Sequence, residues 1–567
     1  MEVEGKTSGR VLVMYDIRGI QNYIFRTAKV KDAIGASAIV EDIIEDAMQD
    51  AVEKVKKEGE KFTDDLIWYD ENGVCDFCME EAADIQVLYV GGGNAFFLFR
   101  DKDLSEKINR HMSKYVIDTT YSLQLAIAVT DYKDNYKDNY NCIFREMNRV
   151  KETMVISRPL GALPVMVIDA KTGYPVVSDS KGRWLSVQEE KVEETIQKKR
   201  KERNIRKEMR RAEKIFDNYV TEKGTDSTLA VVHIDGNNMG LRIRAQIEEI
   251  EKYDEAVNTM RRISYRINHS YKKVFEKMTQ EFNQGDKQYN VLKILTAGDD
   301  ITYVCNGKLA LKTVQYFAKE IAGYTMDGQI TDRPGKEDTG YAYPVQKEKR
   351  EDKLKKYGFS VCAGIAYIHS HFPFYVGYET AEACCESAKK RAKEDKYRDR
   401  ENGRIGNWVD FQICKNIQVQ NLDEVREKEY TTANGENLML RPYFINTDAD
   451  YGIKKPEDPC RTLEQFMSDI VYFQNEKNMP RSFAKDLRNT YPQGEEEVNV
   501  LYAFLKSRGW KLPDGSDQLY MEQEETDSAQ EAEEKKQLNI ARWYDALEMM
   551  DYVEDRTEEA QTGGENE

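Results

Sequence analysis

The chain predicts an α+β fold used twice, an antiparallel sheet with helices packed on one face, repeated within one polypeptide. Three observations carry the prediction. A β-rich run ending at an acid, VLVMYDIRGIQ (11–21), returns as TLAVVHIDGNNMG (228–240). Two apolar runs around a glycine-containing tip, VLYVGGGNAFFLF (87–99), return as LKILTAGDDITYVC (292–305). A strand-like segment and a charged helical one, YSLQLAIAVTDY with CIFREMNRVKETM, return as FSVCAGIAYIH with ETAEACCESAKKRAK. Strand, helix, hairpin, strand and helix follow each other twice, the order of a ferredoxin-like palm of the nucleotidyl cyclase and polymerase type.

The order divides the chain. Residues 1–157 are expected to form the first palm and 226–410 the second. Between them, 158–225 is a connector: RPLGALP and KTGYP punctuate it, and the basic run KKRKERNIRKEMRRAEK (198–214) reads as a helix. Past Asn407 the pattern turns to segments of mixed polarity such as RTLEQFMSDIVYFQNE and EEEVNVLYAFLKSRG, so 411–552 is expected to be a helical C-terminal domain. The end, 553–567, has almost no apolar content and is expected to be a disordered acidic tail.

Composition narrows the function. No apolar run approaches the roughly 20 residues that span a bilayer, and the N-terminus lacks the sections of a signal peptide, so a cytoplasmic location without membrane contact is expected. Nine scattered cysteines do not make a disulfide framework. A net charge of -18 argues against non-specific coating of nucleic acid, which needs clustered Lys and Arg. For the basic run a solvated helix face and an RNA or partner contact both stand open.

The second unit carries the chemistry. Phosphoryl and nucleotidyl transfer need cations placed to activate a hydroxyl and to neutralise phosphate charge, and hard cations take carboxylate oxygens. Asp235 ends one apolar strand and Asp299 and Asp300 sit at a hairpin tip, so adjacent strands bring three carboxylates to one sheet edge. These three are the expected catalytic residues. With Ile234 they are the expected site of two Mg2+ or Mn2+ ions. Gly236, Asn237, Asn238 and Gly240 form a turn opening onto a helix, where N–H groups receive phosphate oxygens. Ala297 and Gly298 keep the hairpin tip low enough for a nucleotide to approach. Lys389, Lys390 and Lys393 are candidates for a triphosphate. A polar turn is the plain alternative for the aspartates. The first unit serves as a control: its tip is Gly91, Gly92, Gly93 and Asn94, with Asp16 the lone acid, so it reads as a non-catalytic partner that shapes a nucleotide pocket.

These residues resemble the large palm-domain subunit of type III CRISPR effector complexes, the Cas10 family. DIRGIQNYIFRTAKVKDAIGAS (16–37) and YVGGGNAFFLF are similar to its first palm; HIDGNNMG, TAGDDITYV, AGIAYIHSHFPF and AEACCESAKK are similar to its second. The resemblance implies that ATP is joined through 3′–5′ linkages into cyclic oligoadenylate for antiviral defence. It also implies guide RNA complex subunits and target RNA as partners. Three departures matter. There is no His-Asp dipeptide, so DNA cleavage by a His-Asp nuclease is not expected. Asn237 stands where Asp is usual, which puts the strength of activity in question. Ala297 replaces the first glycine of GGDD. Cys75 and Cys78, where relatives carry a zinc insertion, have no second Cys-x-x-Cys or nearby histidine, so zinc is not expected. His369 and His371 are expected to pack rather than to bind metal. A catalytically weak palm that senses nucleotide or a guide RNA complex is the alternative function. A diguanylate-cyclase-like enzyme is a third, ranked last because the chain lacks GGDEF and GGEEF.

Overall fold

The computed structural model describes residues 9–25, 30–70, 73–91, 93–154, 163, 165–169, 173–180, 183–199, 228–248, 250–283, 291–326, 328–329, 358–370, 372–399, 403–415, 421–447, 453–522 and 539–553. The tail beyond 553, nearly all of the basic run, Gly92 and His371 lie outside them.

The first palm runs β1 (Val11–Arg18), α1 (Ile20–Phe25), α2 (Val30–Lys57), β2 (Ile85–Gly91), β3 (Asn94–Phe99), α3 (Lys102–Thr120), β4 (Gln124–Asp131) and α4 (Tyr136–Thr153). Its sheet order is β2-β3-β1-β4, with a two-residue strand, Asp64–Asp65, beside β2. In the connector, β5 (Val176–Ser180), β6 (Arg183–Ser186) and α5 (Val187–Lys199) follow. Helix α5 belongs to the first palm's packing, with Gln188 Nε2 donating to Tyr23 O at 3.1 Å. The second palm repeats the series as β7 (Thr228–Gly236), α6 (Met239–Ile247), α7 (Tyr253–Phe282), β8 (Val291–Ala297), β9 (Asp300–Asn306), α8 (Ala310–Ile321), β10 (Val361–His369) and α9 (Phe374–Ala392). Its central order, β8-β9-β7-β10, matches the first palm strand for strand.

Two expectations need correction. The sheets are covered on both faces, not one. Val11, Val13 and Tyr15 of β1 pack with α2, while Leu12 and Met14 pack with α4 and with α7 of the other palm. Burial on both faces is why the strands read as continuous apolar runs rather than as alternation. The second sheet also does not stop at 410. Strand β11 (Asn407–Ile413) crosses that boundary and pairs parallel to β10, and β12 (Tyr443–Ile445) adds beyond it. Every residue of β11 is buried, including Asp410 and Gln412, whose polarity hides the strand in the sequence. Helix α10 (Leu422–Glu429) supplies the compensation: Arg426 donates to both Asp410 oxygens at 2.8 Å. The remaining described C-terminal elements are mainly helical, with α11 (Leu463–Gln474), α12 (Arg481–Thr490), α13 (Glu495–Ser507) and α14 (Tyr544–Met549).

The palms are joined by a reciprocal exchange. In β2 the ladder shifts register between Val87 and Tyr89, leaving Leu88 as a bulge. In β8 it shifts between Lys293 and Leu295, leaving Ile294 at the equivalent position. Leu88 packs with Val257 and Met260 of α7, and Ile294 joins the cluster of Ile39 and Ile43 of α2, so each bulge meets the other palm's long helix. Arg261, 1% exposed, fastens one side. It donates to Leu88 O at 2.8 Å, Val87 O at 2.5 Å and Cys75 O at 2.7 Å. The Cys-x-x-Cys loop follows the same helix: Phe77 N donates to Asn258 Oδ1 at 2.6 Å and Asn258 Nδ2 returns a bond to Phe77 O at 3.0 Å.

Arg261→Leu leaves three carbonyls without their donor and is expected to cost roughly 3 kcal/mol. An earlier midpoint in urea unfolding reads the loss, with Arg261→Lys falling between the variant and the wild type.

Candidate functional site

The acid tip is built by register. Strands β7 and β9 pair His233 with Thr302 and Ile234 with Ile301, which makes Asp235 and Asp300 the next facing pair. Ala297 pairs with Asp300, so Gly298 and Asp299 are a two-residue turn. Gly298 takes φ 67°, the positive value a tight hairpin asks of its first central residue. Asp299 folds back across β7. A Cβ on Gly236 would lie 2.6 Å from Asp299 Oδ2 and 2.8 Å from Tyr271 OH, so glycine is required there by the approach itself.

Helix α9 closes the other side. At Gly364 of β10 a Cβ would meet Ala381 O at 1.9 Å and Cys385 N at 2.3 Å, so backbone rests on backbone and the helix is fixed in height. Tyr378, Glu382, Cys385 and Lys389 succeed each other at helical spacing along one face. Lys389 Nζ forms an ion pair with Asp235 Oδ2. Below the acids, His233 Nδ1 lies 3.0 Å from Thr302 Oγ1 and 3.4 Å from Asp300 Oδ1, and burial holds the imidazole below its ordinary pKa.

This concentration of carboxylates has an electrostatic consequence. Burial first, then Asp235, pushes Asp299 up to about 7. Burial, Asp235 and Glu382 push Asp300 up to about 8. Asp300 Oδ1 is buried without a hydrogen-bond donor among the described residues. Such oxygens fit a hard divalent cation held by Asp235, Asp299 and Asp300. Among the described residues, no three acids, histidines or cysteines are already arranged as a metal cage, and Lys389 is the ammonium that occupies Asp235.

The other expected residues divide. Ile234 is fully buried in the core and brings no side-chain donor, so its backbone carbonyl is the group it could offer a cation. Asn237 is turned into the sheet, its Nδ2 donating to Gly406 O at 3.0 Å and Ser360 Oγ at 3.2 Å. Asn238 caps α6 at φ 56° and donates to Gly403 O at 2.8 Å, while Gly240 faces open space. Lys390 and Lys393 are exposed and, among the described contacts, reach none of the acids. In the first palm, Asp16 faces Asn94 across the ladder and pairs with Lys151 Nζ at 2.7 Å, the counterpart of Asp235 with Lys389. Gly91, Gly93, Ala297 and Gly298 line one cavity of about 550 Å3 between the palms. Cys75 and Cys78 are free thiols in the loop docked on α7. Glu382, His233 and Tyr271 escaped the sequence reading. For Glu382 the helical spacing to Lys389 was the available signal; nothing local announced Tyr271.

Residues 228–400 match the family model described as Cas10/Cmr2, second palm domain. Among solved structures, the chain is similar to one from a Csm1–Csm4 cassette in complex with cA4, at 11% identity and a TM-score of 0.50, over 97% of this chain and 70% of that one. It is similar to one from the apo Csm1–Csm4 cassette at 12% identity and 0.50, over 96% and 70%. At these identities the likeness is one of fold. None of the curated proteins matches the chain.

Because folding raises the pKa of Asp300 from 3.8 to about 8, the folded chain holds more protons there than the unfolded one, and stability falls as pH rises through that window. In cation-free buffer Asp300→Asn is therefore expected to melt above the wild type at pH 8 and to lose that advantage towards pH 4. Thermal melting across the range checks it, and Mg2+ is expected to stabilise the wild type but not the variant.

Proposed function

We propose that the chain, whose residues 228–400 match the second palm domain of Cas10/Cmr2, is a Cas10-type, cation-dependent nucleotidyltransferase that joins ATP into cyclic oligoadenylate. One observation carries the reading: Asp235, Asp299 and Asp300 converge from two paired strands. Beside their turn, the tips of both palms open onto one cavity. A fold relative solved with cA4 bound supports the choice of product.

Asp235, Asp299 and Asp300 would hold the Mg2+ or Mn2+ ions, whose chemistry is to acidify an attacking 3′-hydroxyl and to neutralise phosphate charge. The chain's own residues set the conditions. Asp299 and Asp300 are raised to about 7 and about 8 and so hold protons around neutral pH; a cation bound there would displace them and would bind more strongly as pH rises. Lys389, next to Asp235, is placed to transfer its ammonium from carboxylate to phosphate. The first palm has Asn94 where the second has Asp300, so it presents a nucleotide without holding a cation of its own. Subunits of a guide RNA complex and target RNA are the partners this reading implies.

Incubation with each NTP and Mg2+ or Mn2+, with target RNA and partner subunits supplied, followed by mass spectrometry, tests the proposal. Cyclic adenylate products are expected, with Asp300→Ala lowering their rate by about 100-fold or more, the scale of losing a group that stabilises transition-state charge. Nucleotide binding without turnover would instead identify a sensing palm.

A further inference from the structure

Below the three aspartates lies a buried polar pair whose place in an apolar sheet needs a reason. Side chains alternate along a strand, so His233 and Asp235 of β7 share one face with Thr302 and Asp300 of β9. His233 faces Thr302 across the ladder, and the two are 4% and 0% exposed. The first palm repeats these four positions with different content. Asp16 faces Asn94 there, and Met14 faces Phe96, both of them buried. The polar pair thus accompanies the second acid: beside Asp300 it is His and Thr, and beside Asn94 it is Met and Phe.

The geometry ties the pair to that acid. His233 Nδ1 stands 3.0 Å from Thr302 Oγ1 and 3.4 Å from Asp300 Oδ1, the oxygen left without a hydrogen-bond partner among the described residues. With its proton on Nδ1, the ring aims one N–H between two acceptors. The ring's angle is set from outside the sheet. Gly364, the ladder partner of His233 on β10, is where α9 rests on the strand, and Tyr378 of that helix meets the imidazole at 86° with centroids 5.9 Å apart. Phe25 of α1 stacks on Tyr378 at 3.6 Å and 15°. Phe25 closes the segment DIRGIQNYIF, so a chain of rings runs from the opening of the first palm to the imidazole behind Asp300.

We infer that His233 is a positioning residue for Asp300: its Nδ1–H donates to Oδ1 and fixes the angle at which the carboxylate is presented beside Asp235 and Asp299. Thr302 is the second acceptor, which keeps the donor on that side of the ring. The inference rests on the nucleotidyltransferase reading and adds to it the group that orients one of its acids. A hydrogen-bond partner behind a metal-binding carboxylate sets affinity, and its loss costs about 10- to 100-fold. Replacing a mutually bonded polar pair by apolar groups is, by contrast, nearly neutral for the fold. Met14 and Phe96 show that these positions accept apolar side chains. Weaker cation binding with little change in stability is therefore the mark of the positioning role.

Calorimetric titration of the full chain with Mn2+, beside thermal melting in cation-free buffer, tests it. His233→Met, the exchange that the first palm has already made at Met14, is expected to bind Mn2+ about 10-fold more weakly and to melt close to the wild type. His233→Asn puts its side-chain N–H where Nδ1–H stands and is expected to stay within about 3-fold of wild-type affinity, whereas His233→Gln puts its N–H at the place of Nε2 and is expected to lose about 10-fold. The Asn and Gln variants decide the matter if His233→Met does not fold. Wild-type affinity in His233→Met or His233→Gln, or an equal loss in His233→Asn and His233→Gln, overturns the positioning role and leaves the nucleotidyltransferase reading standing. Failure of the wild type to bind Mn2+ overturns both.

Discussion

The exchange of long helices between the palms is the contact on which everything else rests. A palm sheet has two apolar faces and its own helices cover only part of them. Here α7 of the second palm covers the β2 side of the first, and α2 of the first covers β8 of the second. The bulges at Leu88 and Ile294 make that exchange possible, because each turns one extra residue towards the foreign helix. A bulge also frees backbone carbonyls, and Arg261 takes two of them on the first-palm side. Since each bulge lies three residues from its strand's end, the helix that covers it also fixes where the hairpin tip stands. Two tips fixed in this way leave a cavity of constant shape between them.

Within that frame the acid site is a balance of like charges. Three aspartates are brought together by strand register, and Glu382 adds a fourth carboxylate from α9. Lys389 is the ammonium paired with Asp235, and it reaches that acid because Gly364 lets α9 sit directly on β10. The first palm shows the same arrangement with fewer acids. Its Asp16–Lys151 pair is kept and Asn94 replaces the second acid. One acid with one ammonium is neutral; with three acids and one ammonium, burial and the excess negative charge hold protons on Asp299 and Asp300 up to about 7 and about 8.

The sequence made the palms legible because each carries the same order of elements and the same glycine-containing tip. It made Asp235, Asp299 and Asp300 legible because strand ends and hairpin tips are readable from apolar runs. What it hid was set by contacts across the chain. Asp410 and Gln412 disguise β11, since the arginine that neutralises Asp410 lies sixteen residues further on. Tyr271 enters the site only because α7 crosses β7 at Gly236. Trp68 lines the cavity between the tips, a placement that only the folded chain shows.

Asn237 is the departure that put activity in question, and the fold supplies its reason. Where the sheet continues through β11, the residue after Asp235-Gly236 faces the Gly406 carbonyl, and its amide nitrogen donates there and to Ser360. Its own backbone N–H donates to Ser360 O at 2.9 Å, so the turn that follows the strand carrying Asp235 is tied to the neighbouring strand by side chain and main chain alike. A carboxylate at this position could make neither side-chain donation and would set a negative charge against a carbonyl oxygen. Asparagine thus suits the extended sheet, because it makes two donations that a carboxylate could not. Asn237 therefore buttresses the second palm, and the acids of the tip are Asp235, Asp299 and Asp300.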